Sequence, residues 1–294
     1  ITGIGGLLLL GGGIVLGNIS GTYSITEMLA QKDFIQGHEH YILAACLIFG
    51  AAFTKSAQFP FHFWLPGAMK APTPVSTYLH SATMVKAGVY LLFRMSPLMG
   101  STSFWNNTLL IVGLITMIYS AFHSIFRTDM KGILAYTTIS ALGILVFLIG
   151  LGTHESYLAA VVFIIVHALY KATFFMMTGV VDHQAKTRNV TELSGLRKVM
   201  LPVAIAGLLA AISNAGIPPS VGFIGKDLIY EGTFHFEHSA ILLTALAILT
   251  NVFISYAGYV AGIKPFIGKL PEKFEKVKFP SFFLFLGYIK NLIK

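Results

Sequence analysis

Residues 41–66 read YILAACLIFGAAFTKSAQFPFHFWLP, and they set the fold class of this chain. The apolar run is long enough to enter a bilayer, yet it carries Lys55 and is followed by Pro60 and Pro66. Proline removes a backbone donor and clashes with the preceding turn, so a helix has to break here. A charge within a membrane span is costly without a partner or a water path, which makes Lys55 a candidate functional residue. A lysine that reaches the headgroup layer is the alternative.

The composition places the chain among integral membrane proteins. Hydrophobic residues are 55% of its 294 residues, charged residues are 11%, and the mean hydropathy is +0.75. Average soluble domains have about 25% charged residues. At roughly 20 residues per crossing, the length allows about eight helices. Because the apolar runs are long and continuous, helices are favoured over the alternating strands of a barrel, and we predict an all-α integral membrane protein.

Charge and cysteine content narrow the class further. The net charge is +8, but the basic residues are scattered through apolar runs and short loops, which indicates a membrane surface and no nucleic acid. Cys46 is the single cysteine, so an internal disulfide is excluded. The sequence has no metal-ligand cluster, phosphate-binding loop or dinucleotide fingerprint. We therefore expect no catalytic residues, no metal and no cofactor.

Two of the predicted spans are interrupted, one by Pro60 and Pro66 and the other by Pro218 and Pro219. A pair of interrupted helices at corresponding places indicates the transport site of an inverted-repeat transporter, although no repeat is obvious by eye. The chain opens on Ile1 inside an apolar run, so helices upstream of it are expected. The apolar runs predict spans at about 1–20, 41–69, 73–95, 108–126, 131–151, 156–181, 200–231 and 239–263.

Loop charges predict the orientation, because short cytoplasmic loops are enriched in Lys and Arg. The side predicted to face outward carries only Lys32 and Arg94, and its loops lie near 21–40, 96–107, 152–156 and 232–238. The opposite, cytoplasmic side carries the larger basic set: Lys70, Arg127, Lys131, Lys186, Arg188, Arg197, Lys198 and Lys264.

His167 and Lys171 are the most informative pair, because residues four apart share one helix face. Histidine titrates near neutrality, and both side chains can take up and release a proton, which suits stepwise proton transfer. The alternative is a histidine bonded to a neighbouring helix, with a lysine neutralised by a carboxylate elsewhere.

Three further ionisable residues lie in or beside apolar runs. His80 is either a relay member or a structural hydrogen-bonding group between helices. Lys86 lies six residues later on a different face, so no direct pair with His80 is expected, and it serves either a relay or packing. Lys226 follows the second break and is a transport candidate. Asp227 is adjacent, cannot face it on a helix, and is interpreted as a loop or helix-end partner.

Lys131 follows Asp129 at the cytoplasmic edge and is interpreted as a loop charge that sets topology, with a channel-mouth role as the alternative. No Asp or Glu lies in the middle of a predicted span, although buried lysines usually need a counter-charge. The partner is therefore expected upstream of Ile1 or on a different protein of the same complex.

Five motifs together closely resemble the large subunit of Mrp-type multisubunit sodium/proton antiporters, a family that includes the antiporter-like subunits of respiratory complex I. The resemblance covers about residues 1–265 and implies an antiporter-like inverted-repeat core, with residues 266–294 as a divergent basic and aromatic tail. The motifs are TKSAQFPFHFWLP (54–66), APTPVSTYLHSATMVKAGVY (71–90), DMKGILAYTTIS (129–140), HALYKA (167–172) and GIPPSVGFIGKD (216–227).

The resemblance implies roles for five of the candidates. Lys55 and Lys226 are similar to the lysines of the two broken helices, and Lys171 to the central lysine of the polar axis. His80 and His167 match histidines on that axis. The family's glutamate partner for the first lysine has no counterpart here, and the sequence after about residue 264 lacks the family's further spans. The chain thus resembles a core fragment or a truncated member.

The leading hypothesis is a proton-translocating subunit of a Na⁺/H⁺ antiporter in a bacterial plasma membrane. Its expected partners are other membrane subunits, the lipid bilayer, H⁺, and Na⁺ or another monovalent cation. A proton-pumping subunit of a redox-driven complex, such as complex I or a membrane hydrogenase, is the alternative, but by resemblance Lys86 and residues 62–64 favour the antiporter. A purely structural scaffold is the third hypothesis.

Overall fold

A computed structural model describes residues 1–236 and 239–275 of the chain. Regular structure in these residues is helical, apart from one isolated β-bridge between Asp129 and Asn189. The all-α prediction is therefore confirmed. The α-helices are α1 (Thr2–Ser20), α2 (Ile25–Ala30), α3 (Lys32–Gly37), α4 (Tyr41–Lys55), α5 (Trp64–Gly67), α6 (Thr73–Thr77), α7 (Lys86–Met99), α8 (Ser103–Ser124), α9 (Met130–Leu151), α10 (His154–Ala185), α11 (Leu201–Ala215), α12 (Val221–Phe234), α13 (Ala240–Gly262) and α14 (Glu272–Glu275).

Five helices in the described residues are long and apolar enough to cross a membrane alone. They are α1, α8, α9, α10 and α13 together with the turn that follows it. The remaining three predicted spans are each divided into shorter helical pieces, α4 with α5, α6 with α7, and α11 with α12. The number of eight spans therefore stays a prediction.

Helix α9 is the centre of the bundle. It contacts α7, α8, α10 and α13, and 89% of its apolar window is buried within the chain. Glycine makes the closest of these contacts possible: a Cβ added at Gly113 on α8 would collide with the backbone of Phe147, and one added at Gly143 would meet Met117 N at 2.5 Å. Small residues allow such backbone approach between membrane helices.

Gly113→Val should disrupt this contact. Overpacking a tight interface costs about 1–3 kcal/mol, and here the obstacle is backbone, which has little freedom to move. We expect a clearly lower melting temperature for the purified complex that contains the full-length chain. Gly13→Val is the matched control, because a Cβ there meets no described atom within 4 Å. Equal melting of the two variants would contradict the close packing of α8 on α9.

The first predicted break is confirmed at Pro60, but Pro66 does not break a helix. α4 ends at Lys55, and a 3₁₀ turn (Phe61–Phe63) begins after Pro60. Pro66, by contrast, lies inside α5. Its missing N–H is tolerated there because the first turn of a helix has no partner for those donors.

Backbone groups that lose their helical hydrogen bonds at this break find other partners within the protein. The indole of Trp64 donates to the Thr54 carbonyl at 3.0 Å, and the Phe59 N–H donates to the Thr116 hydroxyl on α8 at 3.0 Å. Irregular backbone persists at membrane depth only under such conditions. The break is therefore a fixed part of the fold.

The second predicted break is confirmed as well. α11 ends at Ala215 and α12 begins at Val221, with Pro218 and Pro219 between them. Gly216 caps α11 with φ 76, in the left-handed region that glycine adopts without strain.

A third break was not predicted. The span expected over 73–95 consists of α6, a π-helix (Tyr78–Ala82) and α7, with an irregular turn at 83–85. Neither proline nor glycine lies at this turn, so the usual signals are missing. π-Helical segments often occur at functional sites, and this one carries His80.

The described part of the predicted tail packs onto the loop between α10 and α11. The Gly195 N–H donates to the Ile267 carbonyl at 2.8 Å. Lys273 donates to Glu192 at 3.3 Å, and this hydrogen bond lowers the pKa of the Glu192 carboxyl. The rest of the predicted tail, 276–294, lies outside the described residues, and the predicted domain boundary stays a prediction.

Candidate functional site

His167 on α10 lies at the centre of the candidate site. Its side chain is 0% exposed, and neither ring nitrogen has a hydrogen-bond partner among the described residues. Lys86, Lys171 and His80 all lie within electrostatic range of the ring. Buried polar groups are normally hydrogen-bonded, so a ring with both nitrogens open is suited to bind water or a proton in passage.

Lys171 lies one turn after His167, so the predicted shared helix face is confirmed, since α10 is continuous through both residues. Its Nζ donates to the Leu134 carbonyl of α9 at 3.2 Å and to the Thr137 hydroxyl. Both acceptors are neutral, and no carboxylate of the described residues forms an ion pair with Lys171. The ammonium is held by dipoles, which can accept hydrogen bonds from it without fixing it in the charged state.

His80 joins the same cluster from the π-helix. Its side chain is 0% exposed, and both of its ring nitrogens are open among the described residues. The ring lies against Phe175 with 4.9 Å between centroids, and Lys171 is within electrostatic range. The alternative of a hydrogen bond between helices therefore has no partner in the described part of the chain.

Lys86 opens α7, directly after the unpredicted break. Its Nζ donates to the Ser81 carbonyl at 2.6 Å and to the Ile164 carbonyl of α10 at 3.0 Å. Ser81 lies in the π-helix, so the break supplies an acceptor that a regular helix would keep for itself. No hydrogen bond joins Lys86 to His80 in the described structure, as the sequence interpretation expected.

Lys226 on α12 is 7% exposed, and its alkyl chain passes over Gly216 at the second break. A cavity of about 10 Å³ adjoins it, lined in part by Tyr230 and Asn251. That volume holds about one water. No hydrogen bond or ion pair of its Nζ is formed with the residues described.

Asp227 does not occupy the predicted loop or helix end. It lies in the middle of α12 and is exposed. Neighbouring residues of a helix point in different directions, so burial of Lys226 places Asp227 outside the bundle. The helix continues beyond Asp227 to Phe234.

Lys131 differs from its expected place in a loop. It lies in the first turn of α9, is 3% exposed, and donates from Nζ to the Ala71 carbonyl at 3.1 Å. Asp129 caps α9 by accepting from the Gly132 N–H at 2.9 Å, and this cap begins the helix before Lys131. Arg188 forms an ion pair with Asp129 over this helix end.

Lys55 is less buried than the sequence predicted. It is half-buried and lines a groove of about 490 Å³ between α1, α4 and α7. Gly5 on α1 packs against the Thr54 side chain, which brings the two helices together beside Lys55 but leaves the groove open. Arg94 lines the same groove, and its described lining residues include no carboxylate.

The other candidate lysines also lack acidic partners among the described residues. In residues 1–236 and 239–275, the ion pairs made by lysine or arginine join Arg188 to Asp129 and Asp182, and Lys273 to Glu192. Lys86, Lys131 and Lys171 donate instead to carbonyl and hydroxyl oxygens. Sequence reasoning missed these acceptors, among them Thr137, because backbone carbonyls carry no sequence signal.

The structure thus brings His80, Lys86, His167 and Lys171 together, and we call these four residues the central axis. Lys226, Lys131 and Lys55 lie in separate surroundings, at the second break, at the start of α9 and in the open groove. These three positions are candidates for the ends of a route through the bundle.

Comparison with known proteins gives concordant matches. Residues 1–254 match the family model described as NADH:quinone oxidoreductase/Mrp antiporter, transmembrane. The large (type A) polypeptide of the Na(+)/H(+) antiporter of Bacillus subtilis is 40% identical over 296 residues, covering 94% of this chain and 37% of that protein. The A/B polypeptide of a probable K(+)/H(+) antiporter of Rhizobium meliloti is 46% identical over 230 residues, covering 78% and 23%.

A solved structure agrees. A chain in the structure of the Mrp complex from Dietzia sp. superposes with a TM-score of 0.84 at 40% identity, covering 93% of this chain and 31% of that one. The chain spans about a third of the length of such relatives.

Proposed function

Because this chain belongs to the NADH:quinone oxidoreductase/Mrp antiporter transmembrane family, we propose that it is a proton-translocating part of the large subunit in a multisubunit monovalent-cation/proton antiporter. The central axis is the observation that carries the proposal. Four titratable side chains, three of them 1% exposed or less, lie together inside a membrane helix bundle without a carboxylate. Such residues in a span are by default functional.

The axis suits stepwise proton movement. A proton bound at Lys171 can pass to an open nitrogen of His167, directly or through water, and the other ring nitrogen can pass a proton toward Lys86. Each hop moves one proton and its charge, so the donor becomes neutral as the acceptor becomes charged. Carbonyl and hydroxyl acceptors around the two lysines stabilise the ammonium without trapping it, as a carboxylate at close range would.

Lys226 and Lys131 extend the route toward its ends. Lys226 lies at the second break, where a one-water cavity adjoins it. Lys131 lies at the start of α9, beneath the charged residues Asp129, Asp182 and Arg188, whose electrostatic influence it feels. Charged residues at a helix end in contact with solvent can collect and release protons for the buried groups.

Lys55 is assigned the role that the resemblance implies, as the lysine of the first broken helix. Its groove holds two basic groups and no described acid, so a segment that carries a carboxylate fits it best. By resemblance, that carboxylate is the family's glutamate partner of this lysine. The other membrane subunits and the coupled cation, Na⁺ or another monovalent ion, complete the proposed transporter in the bacterial plasma membrane.

Antiport is preferred over redox-driven pumping, although the family includes both. The similar proteins of Bacillus and Rhizobium are named as parts of antiporters, and the similar solved chain belongs to an Mrp complex. The test uses the full-length reading frame, expressed with its partner subunits in a strain without other antiporters. Everted vesicles should release an imposed proton gradient when Na⁺ or K⁺ is added. Gradient formation driven by a quinone-reducing reaction, with no response to cations, would contradict antiport.

The orientation gives a further prediction, since the basic loops should be cytoplasmic. In a Cys46→Ser background of the full-length protein, an impermeant thiol reagent applied to intact cells should label Ser103→Cys and leave Thr191→Cys unlabelled. Both positions are exposed. Permeabilised cells, in which both should react, are the control. The reverse pattern would invert the proposed topology.

A further inference from the structure

A second line of polar rings lies outside the central axis. The His62 ring is 5.0 Å from Tyr119 between centroids, Tyr119 is 4.1 Å from His123, and His123 is 6.0 Å from Tyr136. The Arg127 guanidinium donates to the Tyr136 hydroxyl at 3.0 Å. We call these five residues the lateral row. It runs from the first break to the exposed end of α8.

The lateral row is separate from the central axis. Tyr136 is next to Thr137 on α9, but Thr137 is buried against Lys171, whereas Tyr136 is partly exposed on another face. Tyr119 and His123 are one turn apart on α8, so their rings share a face. None of the five residues contributes to the acceptors of the axis lysines.

His123 is arranged to accept a proton. Its Nδ1 lies 3.1 Å from the backbone carbonyl of Tyr119. Because a carbonyl oxygen only accepts hydrogen bonds, Nδ1 carries the hydrogen of this contact, and Nε2 holds the free lone pair of the neutral ring. The partial exposure of the side chain gives that lone pair access from outside the bundle.

His62 is the inner end of the row and opens toward the first break. The residue is 9% exposed, and its ring lies close to the backbone of Pro60. It also lies within electrostatic range of His123. The hydrogen bond from Phe59 to Thr116 fixes the break to α8, one turn before Tyr119, so the spacing between the break and the row is built into the fold.

The free-energy cost of polar side chains on a membrane helix favours a function for the lateral row. Polar groups on the flank of a membrane helix are unfavourable unless they are paired or hydrated, and the sequence has placed several together. Packing alone would be served as well by phenylalanine, which already neighbours the row at Phe122 and Phe59.

We propose that the lateral row is a second proton path, which connects the α8–α9 end of the bundle with the first break next to Lys55. Protons move along it between Tyr136, whose hydroxyl accepts a hydrogen bond from Arg127 at the surface, and His62 at the break. Arg127 itself stays protonated and passes no proton. At each step a ring nitrogen or phenol oxygen accepts one proton as the group releases another, so no net charge is left behind. At His123 the incoming proton binds Nε2, and the Nδ1 proton leaves to water after its hydrogen bond to the Tyr119 carbonyl breaks. Water bridges the polar edges where rings touch only by their faces.

This inference rests on the proposed function, because the path has a purpose only in a proton-coupled transporter. The test uses the full-length protein in its complex, in everted vesicles. His123→Ala should lower the initial rate of cation-dependent proton movement about fivefold or more, since one proton-transfer group typically contributes a hundredfold or more where no bypass exists. Imidazole added at millimolar concentration should restore much of the rate, because the site is partly exposed. Tyr136→Phe should also be slow, without rescue by imidazole.

His154→Phe and Tyr256→Phe are the matched controls, because both residues are exposed and lie outside the row and the axis. Both should transport at the wild-type rate. A wild-type rate for His123→Ala would overturn the inference, and so would a slow His123→Ala that imidazole fails to rescue while assembly stays normal. If the wild-type complex itself shows no cation-dependent proton movement, the proposed function fails, and that result is distinct from failure of the row.

Discussion

Lys171→Met, introduced into the full-length protein in its complex, is expected to lower cation-dependent proton movement by more than about tenfold, or 1.4 kcal/mol of barrier. Methionine fills a similar volume but cannot carry a proton. Lys171 is 1% exposed, and no described carboxylate forms an ion pair with it, so its removal leaves no unpaired buried charge. Replacement of a buried charge by an apolar group is often neutral or stabilising, so the melting temperature should not fall.

Two companion variants separate proton transfer from a fixed positive charge. Lys171→Arg should also fail, because arginine stays protonated at accessible pH and cannot release its proton. The double variant with His167→Ala should be little slower than either single one, because residues that act as one unit are not additive. Lys198→Met, at an exposed loop position, is the control. Full activity of Lys171→Arg at matched expression would show that the proton passes elsewhere.

Lys55→Ala is expected to reduce antiport to the background of empty vesicles while insertion stays intact. A charged side chain in a membrane segment raises the free energy of insertion, so its removal should not harm insertion. The loss should come from the first break, where Lys55 and Arg94 are the basic residues of the open groove.

The measurement for Lys55 is the cation-induced release of a proton gradient, with the amount of assembled complex determined from the same membranes. Lys70→Ala is the control, since Lys70 is exposed at the end of the same broken span. Undiminished antiport by Lys55→Ala would be inconsistent with the role that the resemblance implies. Loss of both assembly and antiport would make Lys55 a structural residue.

The broken helices and the burial of the axis were predictable because they rest on strong local rules. Proline cannot continue a helix, so Pro60 and the pair Pro218–Pro219 gave the positions of two breaks. His167 and Lys171 share a face through helix periodicity alone. The break at 83–85 was missed because a π-helix depends on how neighbouring helices pack, and no residue type marks it.

Other predictions were wrong or missing because the surroundings of a residue depend on segments that are distant in sequence. The sequence alone indicates that Lys131 is a loop charge. In the structure, the cap at Asp129 begins the helix before Lys131, and the Ala71 carbonyl accepts a hydrogen bond from its Nζ. The lateral row joins residues from three separate segments through ring contacts, and no spacing rule connects them. Lys55 was expected to be buried because it lies within a long apolar run, but the helix ends at Lys55 and the side chain lines an open groove.

The position of α9 has a consequence for biosynthesis. This helix is complete at Leu151, but α13, which covers part of its surface, begins only at Ala240. During translation α9 therefore enters the bilayer with a flank that lipid must occupy until α13, the fourth helix after it, has been produced. A chain stopped before Ala240 would retain that uncovered flank.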